Sequence, residues 1–91
     1  MIASTQYQEE VLLKEEVENS HDLIVFNDDL NTFDHVIDTL MDVCEHSPEQ
    51  AEQCTLIIHH KGKCTVKNGD FDTLKDMRNA ICGAGISAEV K

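Results

Sequence analysis

Cations are scarce in this chain: seven Lys and Arg stand against eighteen Asp and Glu, a net charge of −11 over 91 residues. Such a surface repels phosphate backbones and anionic lipid, which excludes nucleic acid and membrane as natural partners and favours basic or amino-bearing ones. Long apolar runs are missing too. The longest in the first twenty residues is Val11, Leu12, Leu13, with no basic stretch before it. A secretory signal is not expected, nor is a membrane helix, which needs ~20 apolar residues, so a cytoplasmic protein is expected. There is no C-x-x-C, and Cys44, Cys54, Cys64 and Cys82 are spaced by ten, ten and eighteen, which matches no zinc template. Three of them fall in apolar helical patterns, so free, mostly buried thiols are expected. No G-x-S-x-G and no glycine-rich phosphate loop occurs. Neither an enzyme nor a cofactor is expected.

What the chain does have is one domain's worth of hydrophobic patterning behind an acidic start. Residues 1–22 carry Glu9, Glu10, Glu15, Glu16, Glu18 and Asp22 against Lys14 alone. That composition predicts a flexible extension, with the folded domain running over 23–91. Leu23 to Phe26 reads as a short buried strand. Phe33, Val36, Ile37, Leu40, Met41 and Cys44 then recur at helical spacing, after Asn31 or Thr32 as cap.

Ser47-Pro48-Glu49-Gln50 is a second helix start, with Ser as cap and Pro at the first helical position. Ala51, Cys54, Ile57 and Ile58 form its apolar side, and Gly62 ends it. Lys63 to Lys67 alternates like a half-buried strand, with Asn68-Gly69 as a closing turn. Asp70 caps a third helix over Phe71, Leu74, Met77 and Ile81, ended by Gly83 and Gly85; Ile86 to Val90 is the last strand. The order β-α-α-β-α-β predicts an α/β (α+β sandwich) domain, three helices on a small three-stranded sheet.

One stretch is costly for a plain turn. Where the first strand leaves the core, Asn27, Asp28 and Asp29 place an amide and two carboxylates in succession. Turn formation and helix capping explain such residues in general. Catalysis by the two carboxylates is disfavoured, because adjacent residues in extended chain point to opposite sides. Metal binding through His59-His60 near Cys54 and Cys64 is disfavoured as well, since neighbouring residues in a helix diverge by about 100°. Recognition of an α-ammonium group remains. It presents three N–H donors and no acceptor, so burying it needs about three converging acceptors. Asn27, Asp28 or Asp29, and a neutral His59 supply that chemistry if the second helix returns beside the first strand.

These residues carry a resemblance. "LIVFNDDLNTFDHVIDTL", then "EQAEQCTLIIHHKGK" and the short strand after it, resemble ClpS, the adaptor of the bacterial Clp proteases, from about Leu23 to Val90. The resemblance implies recognition of N-degrons, substrates whose first residue is Leu, Phe, Tyr or Trp. It also implies their delivery to a hexameric AAA+ unfoldase of the ClpA or ClpC type, bound through its N-terminal domain and coupled to ClpP. Carried over by position, Asn27, Asp28 and His59 hold the α-amino group. Asn31, Phe33, Val36, Thr55 and Ile86 line the pocket for the first side chain, with Asp29 at its edge, and Asp72 and Met77 face the unfoldase. A monomer is expected.

The sequence departs from the family pattern at several of these positions. Thr32 replaces a usual proline and Phe33 a frequent methionine. Thr55 stands where many members carry a methionine whose bulk excludes β-branched first residues, and Met77 where a lysine is common. A structural interaction module resembling the C-terminal domain of the ribosomal stalk protein is the competing expectation. A ClpS-like regulator of the unfoldase without a substrate pocket is the third.

Overall fold

A computed structural model describes residues 20–91, and the expectation for most of the amino-terminal extension lies outside them. The order is β1 (His21–Phe26), α1 (Phe33–Val43), α2 (Pro48–Lys61), β2 (Lys63–Gly69), α3 (Phe71–Gly83) and β3 (Ala88–Val90). The strands form one antiparallel sheet in the order β2-β1-β3. Its apolar face carries Leu23, Val25, Val66 and Ala88, all buried, and closes a core with Val36, Leu40, Cys44, Ala51, Ile58, Leu74, Ile81 and Ile86.

Each helix starts where an oxygen-bearing side chain can take the orphan N–H groups of a first turn. Thr32 Oγ1 accepts from the His35 N–H at 3.1 Å, Ser47 Oγ from Gln50 at 3.2 Å, and an Asp70 carboxylate oxygen from Thr73 at 3.0 Å. Gly62 stops α2 at φ +90°, a left-handed conformation that suits glycine. The carboxyl end of α1 has no basic residue of its own, and Lys67 reaches over from β2 to donate to the Cys44 carbonyl at 3.2 Å. Favourable charge at the negative end of a helix is thereby supplied from another element.

The β1–β2 register slips between Leu23 and Ile24, which leaves Val66 as the extra residue of a bulge. Buried His46 donates from Nε2 to the Val66 carbonyl at 2.7 Å, so a side chain replaces the lost ladder bond. Its Nδ1 is buried and has no hydrogen-bond partner.

Several expected details shift. His21 and Asp22 belong to β1 and not to the extension, because the strand pairs as far as Gly69 and Lys91. For the same reason Asn68-Gly69 ends β2 inside the ladder, opposite Asp22 and His21, instead of forming a closing turn. The last strand is shorter than Ile86–Val90: Ile86 turns into the core and Ala88 opens the ladder. In α2 the buried face is Ala51, Thr55 and Ile58, while Ile57 is exposed. Phe71 is 48% exposed although it heads an apolar stripe. All four cysteines are free. Burial pushes the Cys44 thiol up to about 11 despite the opposing Lys67 charge, and the Cys64 thiol rises to about 11 through burial and its neighbour Cys54. Among the described residues no group of three or more His, Cys, Asp and Glu is placed to hold a metal, and no helix is long and apolar enough to cross a membrane.

Candidate amino-terminus binding site

The end of β1 is fixed from two sides. The Phe26 N–H donates to the Ser87 carbonyl at 3.0 Å, and the Asn27 N–H donates to the Gly62 carbonyl at 2.9 Å. Gly62 lies three residues after His59, so the second bond draws the Asn-Asp-Asp segment to the end of α2 that carries the histidine. The approach of helix and strand that the acceptor argument required is therefore built from main chain.

Asp28 organises the loop that follows. Its Oδ1 accepts from the backbone N–H groups of Leu30 and Asn31, both at 2.9 Å, and its Oδ2 accepts from the Asn31 side-chain amide at 2.7 Å. The Asn31 N–H contributes most to holding the Asp28 carboxyl below the usual range. Burial opposes it, and the Asn31 amide and the Leu30 N–H add to the lowering. Asn31 also donates to the Gly85 carbonyl at 2.8 Å, tying the loop to the α3–β3 connection. Three bonds use most of the roughly four acceptor positions of a carboxylate, leaving Oδ2 with capacity for one more donor.

Behind this loop lies a cavity of about 300 Å³, lined by Asn27, Asp28, Asp29, Asn31, Thr32, Phe33, Val36, Thr55, Ile58 and His59. Its polar residues come from the loop and from Thr55 and His59 of α2, and its apolar ones from α1 and α2. Among the described residues, the side chains of Asn27, Asp29 and His59 make no hydrogen bond to protein and keep their acceptors open. Thr55 is buried, and its Oγ1 donates to the Ala51 carbonyl at 2.7 Å, which leaves its methyl as the free end. Phe33 is 38% exposed at the start of α1.

The structure thus brings together Asn27, Asp28, His59, Asp29, Asn31, Phe33, Val36 and Thr55. Ile86 is the exception: it is buried in the core and absent from the cavity wall. Sequence reasoning missed Thr32 and Ile58. Ile58 was findable, since it follows Thr55 by three on a helix and immediately precedes His59. Asp72 sits exposed in the first turn of α3 and Met77 packs half-buried against the core; neither touches the cavity.

A small antiparallel sheet backed by three helices carries an acceptor-rimmed, apolar-walled cavity between two of them. Residues 16–87 match the family model described as ATP-dependent Clp protease adaptor protein ClpS. The chain belongs to the ClpS family, whose members are adaptors of the ATP-dependent Clp protease and not enzymes. Relatives described as ATP-dependent Clp protease adapter protein ClpS occur in Campylobacter jejuni subsp. jejuni and subsp. doylei. Each is 40% identical over 58 residues, covering 64% of this chain and 58% of the relative. The match therefore spans less than two thirds of those relatives' length. Among solved structures, Agrobacterium tumefaciens ClpS2 bound to L-phenylalaninamide superposes with a TM-score of 0.74 at 18% identity, over 80% of this chain and 95% of that one. The fold is shared, and the family assignment sets aside the ribosomal-stalk alternative.

Proposed function

We propose that the domain binds the free α-amino group and the bulky hydrophobic first residue of N-degron substrates, with Leu, Phe, Tyr or Trp leading, and delivers them to a Clp AAA+ unfoldase coupled to ClpP. The observation that carries this reading is the convergence of Asn27, Asp28 and His59 on the rim of one apolar-walled cavity. Asn27 Oδ1, a neutral His59 ring nitrogen and the remaining Asp28 acceptor match the three donors of an ammonium group. Asp28 adds a negative charge whose ionised form the loop stabilises. The ligand named for the Agrobacterium neighbour, L-phenylalaninamide, has this chemistry: a free α-amino group beside a large apolar side chain.

Phe33, Val36, Thr55 and Ile58 surround the first side chain in this proposal, with Asp29 and Asn31 at its edge. Charge-assisted hydrogen bonds contribute ~1.5–3 kcal/mol each, and burial of one Leu or Phe side chain ~1.5–3 kcal/mol. The association penalty offsets much of this, and binding no tighter than micromolar, about −8 kcal/mol, is expected. An adaptor that hands its cargo on is served by such weak binding. Asp72 and Met77 would face the N-terminal domain of a ClpA- or ClpC-type unfoldase, the acidic extension would engage the unfoldase during transfer, and the work would proceed in the cytoplasm by a monomer.

Fluorescence anisotropy of labelled peptides tests the site. Peptides beginning with Leu, Phe, Tyr or Trp bind with micromolar Kd and their N-acetylated twins do not. Asn27→Ala and His59→Ala each weaken binding roughly 10- to 150-fold, the loss of one charge-assisted bond. Equal affinity for acetylated and free peptides would overturn the proposal.

A further inference from the structure

On another part of the molecule, Phe71, Lys75, Arg78 and Asn79 of α3 and Glu89, Val90 and Lys91 at the end of β3 line an open groove of about 420 Å³. Three of the six cations in residues 20–91 are gathered here, in a chain of net charge −11, against one carboxylate, Glu89. Arg78 is turned to neutral partners, the Ala88 carbonyl at 3.3 Å and the Asn79 side chain at 3.1 Å, so its charge is not balanced by them. One wall is a sheet edge, because β3 is the outer strand. Asp22 and Lys91 exchange both main-chain bonds, and the Phe26 N–H donates to Ser87. By the alternation of an antiparallel ladder, the Val90 N–H and carbonyl then point to the open side. Such an edge accepts an added extended segment.

Charge and apolar surface together ask for an extended acidic peptide with an apolar residue. The chain enters β1 beside this groove: the His21 ring packs edge-on against Phe71 with centroids 5.5 Å apart, and His21 Nδ1 lies 3.2 Å from the Lys91 carbonyl oxygen. Just before Ser20 the sequence reads Glu15-Glu16-Val17-Glu18-Asn19. From Phe71 to Asn79 the helix rises about 12 Å at 1.5 Å per residue, and four extended residues span about 13 Å.

We propose that the groove between α3 and the β3 edge is a docking site for the chain's own acidic segment Glu15–Glu18. The carboxylates pair with Lys75, Arg78 and Lys91, Val17 rests on the exposed Phe71, and Asn19 and Ser20 make the return. This site is separate from the amino-terminus cavity, and its test does not depend on peptide binding there.

The test is amide NMR on the full 91-residue chain. In the variant carrying Glu15→Lys, Glu16→Lys and Glu18→Lys, amides of Lys75, Arg78, Asn79, Val90 and Lys91 shift relative to wild type. In Lys75→Glu with Arg78→Glu, amides of residues 15–18 shift in turn. Raising salt from ~0.01 M to ~1 M, where the Debye length falls from about 30 Å to about 3 Å, moves wild-type groove amides toward their positions in the lysine variant. Dilution leaves the wild-type spectrum unchanged, as an intramolecular contact requires. Shifts confined to the substituted residues and their sequence neighbours would overturn the proposal, and concentration-dependent groove shifts would replace the cis segment with a second copy.

Discussion

Thr55→Met tests whether the cavity takes a substrate's first side chain, as proposed. Thr55 is 2% exposed on the cavity wall, and its hydroxyl is committed to Ala51 within its own helix. A longer, unbranched methionine therefore extends into the space of about 300 Å³ bounded by Phe33, Val36 and Ile58. A clash of one methylene changes selectivity by ~1–3 kcal/mol. The wild type should bind Ile-first and Val-first peptides within about tenfold of the Leu-first peptide, and Thr55→Met should widen that gap at least tenfold, or about 1.4 kcal/mol. Anisotropy with free and N-acetylated peptides gives the ratio directly. Thr55→Val, which keeps the volume and removes only the hydroxyl, should leave the ratio unchanged. Overpacking costs ~1–3 kcal/mol of stability, and about 1 kcal/mol moves the Tm of a 60–100-residue domain by ~4–8 °C, so binding is compared well below each variant's Tm. If the wild type already rejects β-branched first residues as strongly as Thr55→Met, the cavity does not receive the first side chain.

Three further outcomes follow from the structure. Leu74→Ala, at a core position 1% exposed, should cost ~2–5 kcal/mol, read as a lower urea midpoint at unchanged slope; a loss under about 1 kcal/mol would contradict its central place. Folding raises the Cys44 and Cys64 thiols to about 11, so their contribution to stability is full below about 9 and is lost as pH rises through 11. Thermal melts should decline across that window and flatten in Cys44→Ala with Cys64→Ala, and an unchanged decline would assign it elsewhere. For Asp28 the sign reverses: loop stabilisation is full above its unfolded value near 3.9 and is lost as pH falls through the lower folded value. The Leu30 and Asn31 amides should titrate together with a midpoint below 3.9. Asn31→Ala should raise that midpoint only part of the way, because the backbone N–H at position 31 survives; an unchanged midpoint would deny the side-chain bond a role.

Apolar spacing and cap residues made the element order legible, because Ser47, Asp70 and Gly62 act through local backbone chemistry that any tertiary context must respect. Long-range features were less legible. The bulge at Val66 depends on the partner strand, and its compensation by His46 crosses twenty residues of chain. Phe71 reads as core by its period, yet α3 begins at the edge of the layer and leaves it 48% exposed. That Asn27, Asp28 and His59 meet at one cavity was legible from the acceptor argument together with the family resemblance. The wall was less so: Ile86, a lining residue only by the resemblance, is buried in the core, and Ile58 stands third in the apolar run Leu56-Ile57-Ile58.

Gly62 joins fold and site, and one substitution there separates the two contributions. An added Cβ would meet nothing within 4 Å, so Gly62→Ala introduces no clash, only the strain of φ +90°. Left-handed backbone costs an L-residue roughly 1–2 kcal/mol. The Tm should therefore fall by about 4–16 °C. If the chain relieves the strain by unwinding the end of α2, the Gly62 carbonyl leaves the Asn27 N–H and His59 moves away from Asn27. Free peptides should then lose affinity while binding to acetylated peptides stays negligible, because the loss falls on the amino-group contacts. Asn31→Ala is the comparison: it releases the same loop from Gly85 without disturbing α2. A Gly62→Ala variant with lowered Tm but wild-type affinity, beside an Asn31→Ala variant with impaired affinity, would locate control of the acceptors in the loop and refute the argument that the Asn27–Gly62 bond sets their spacing.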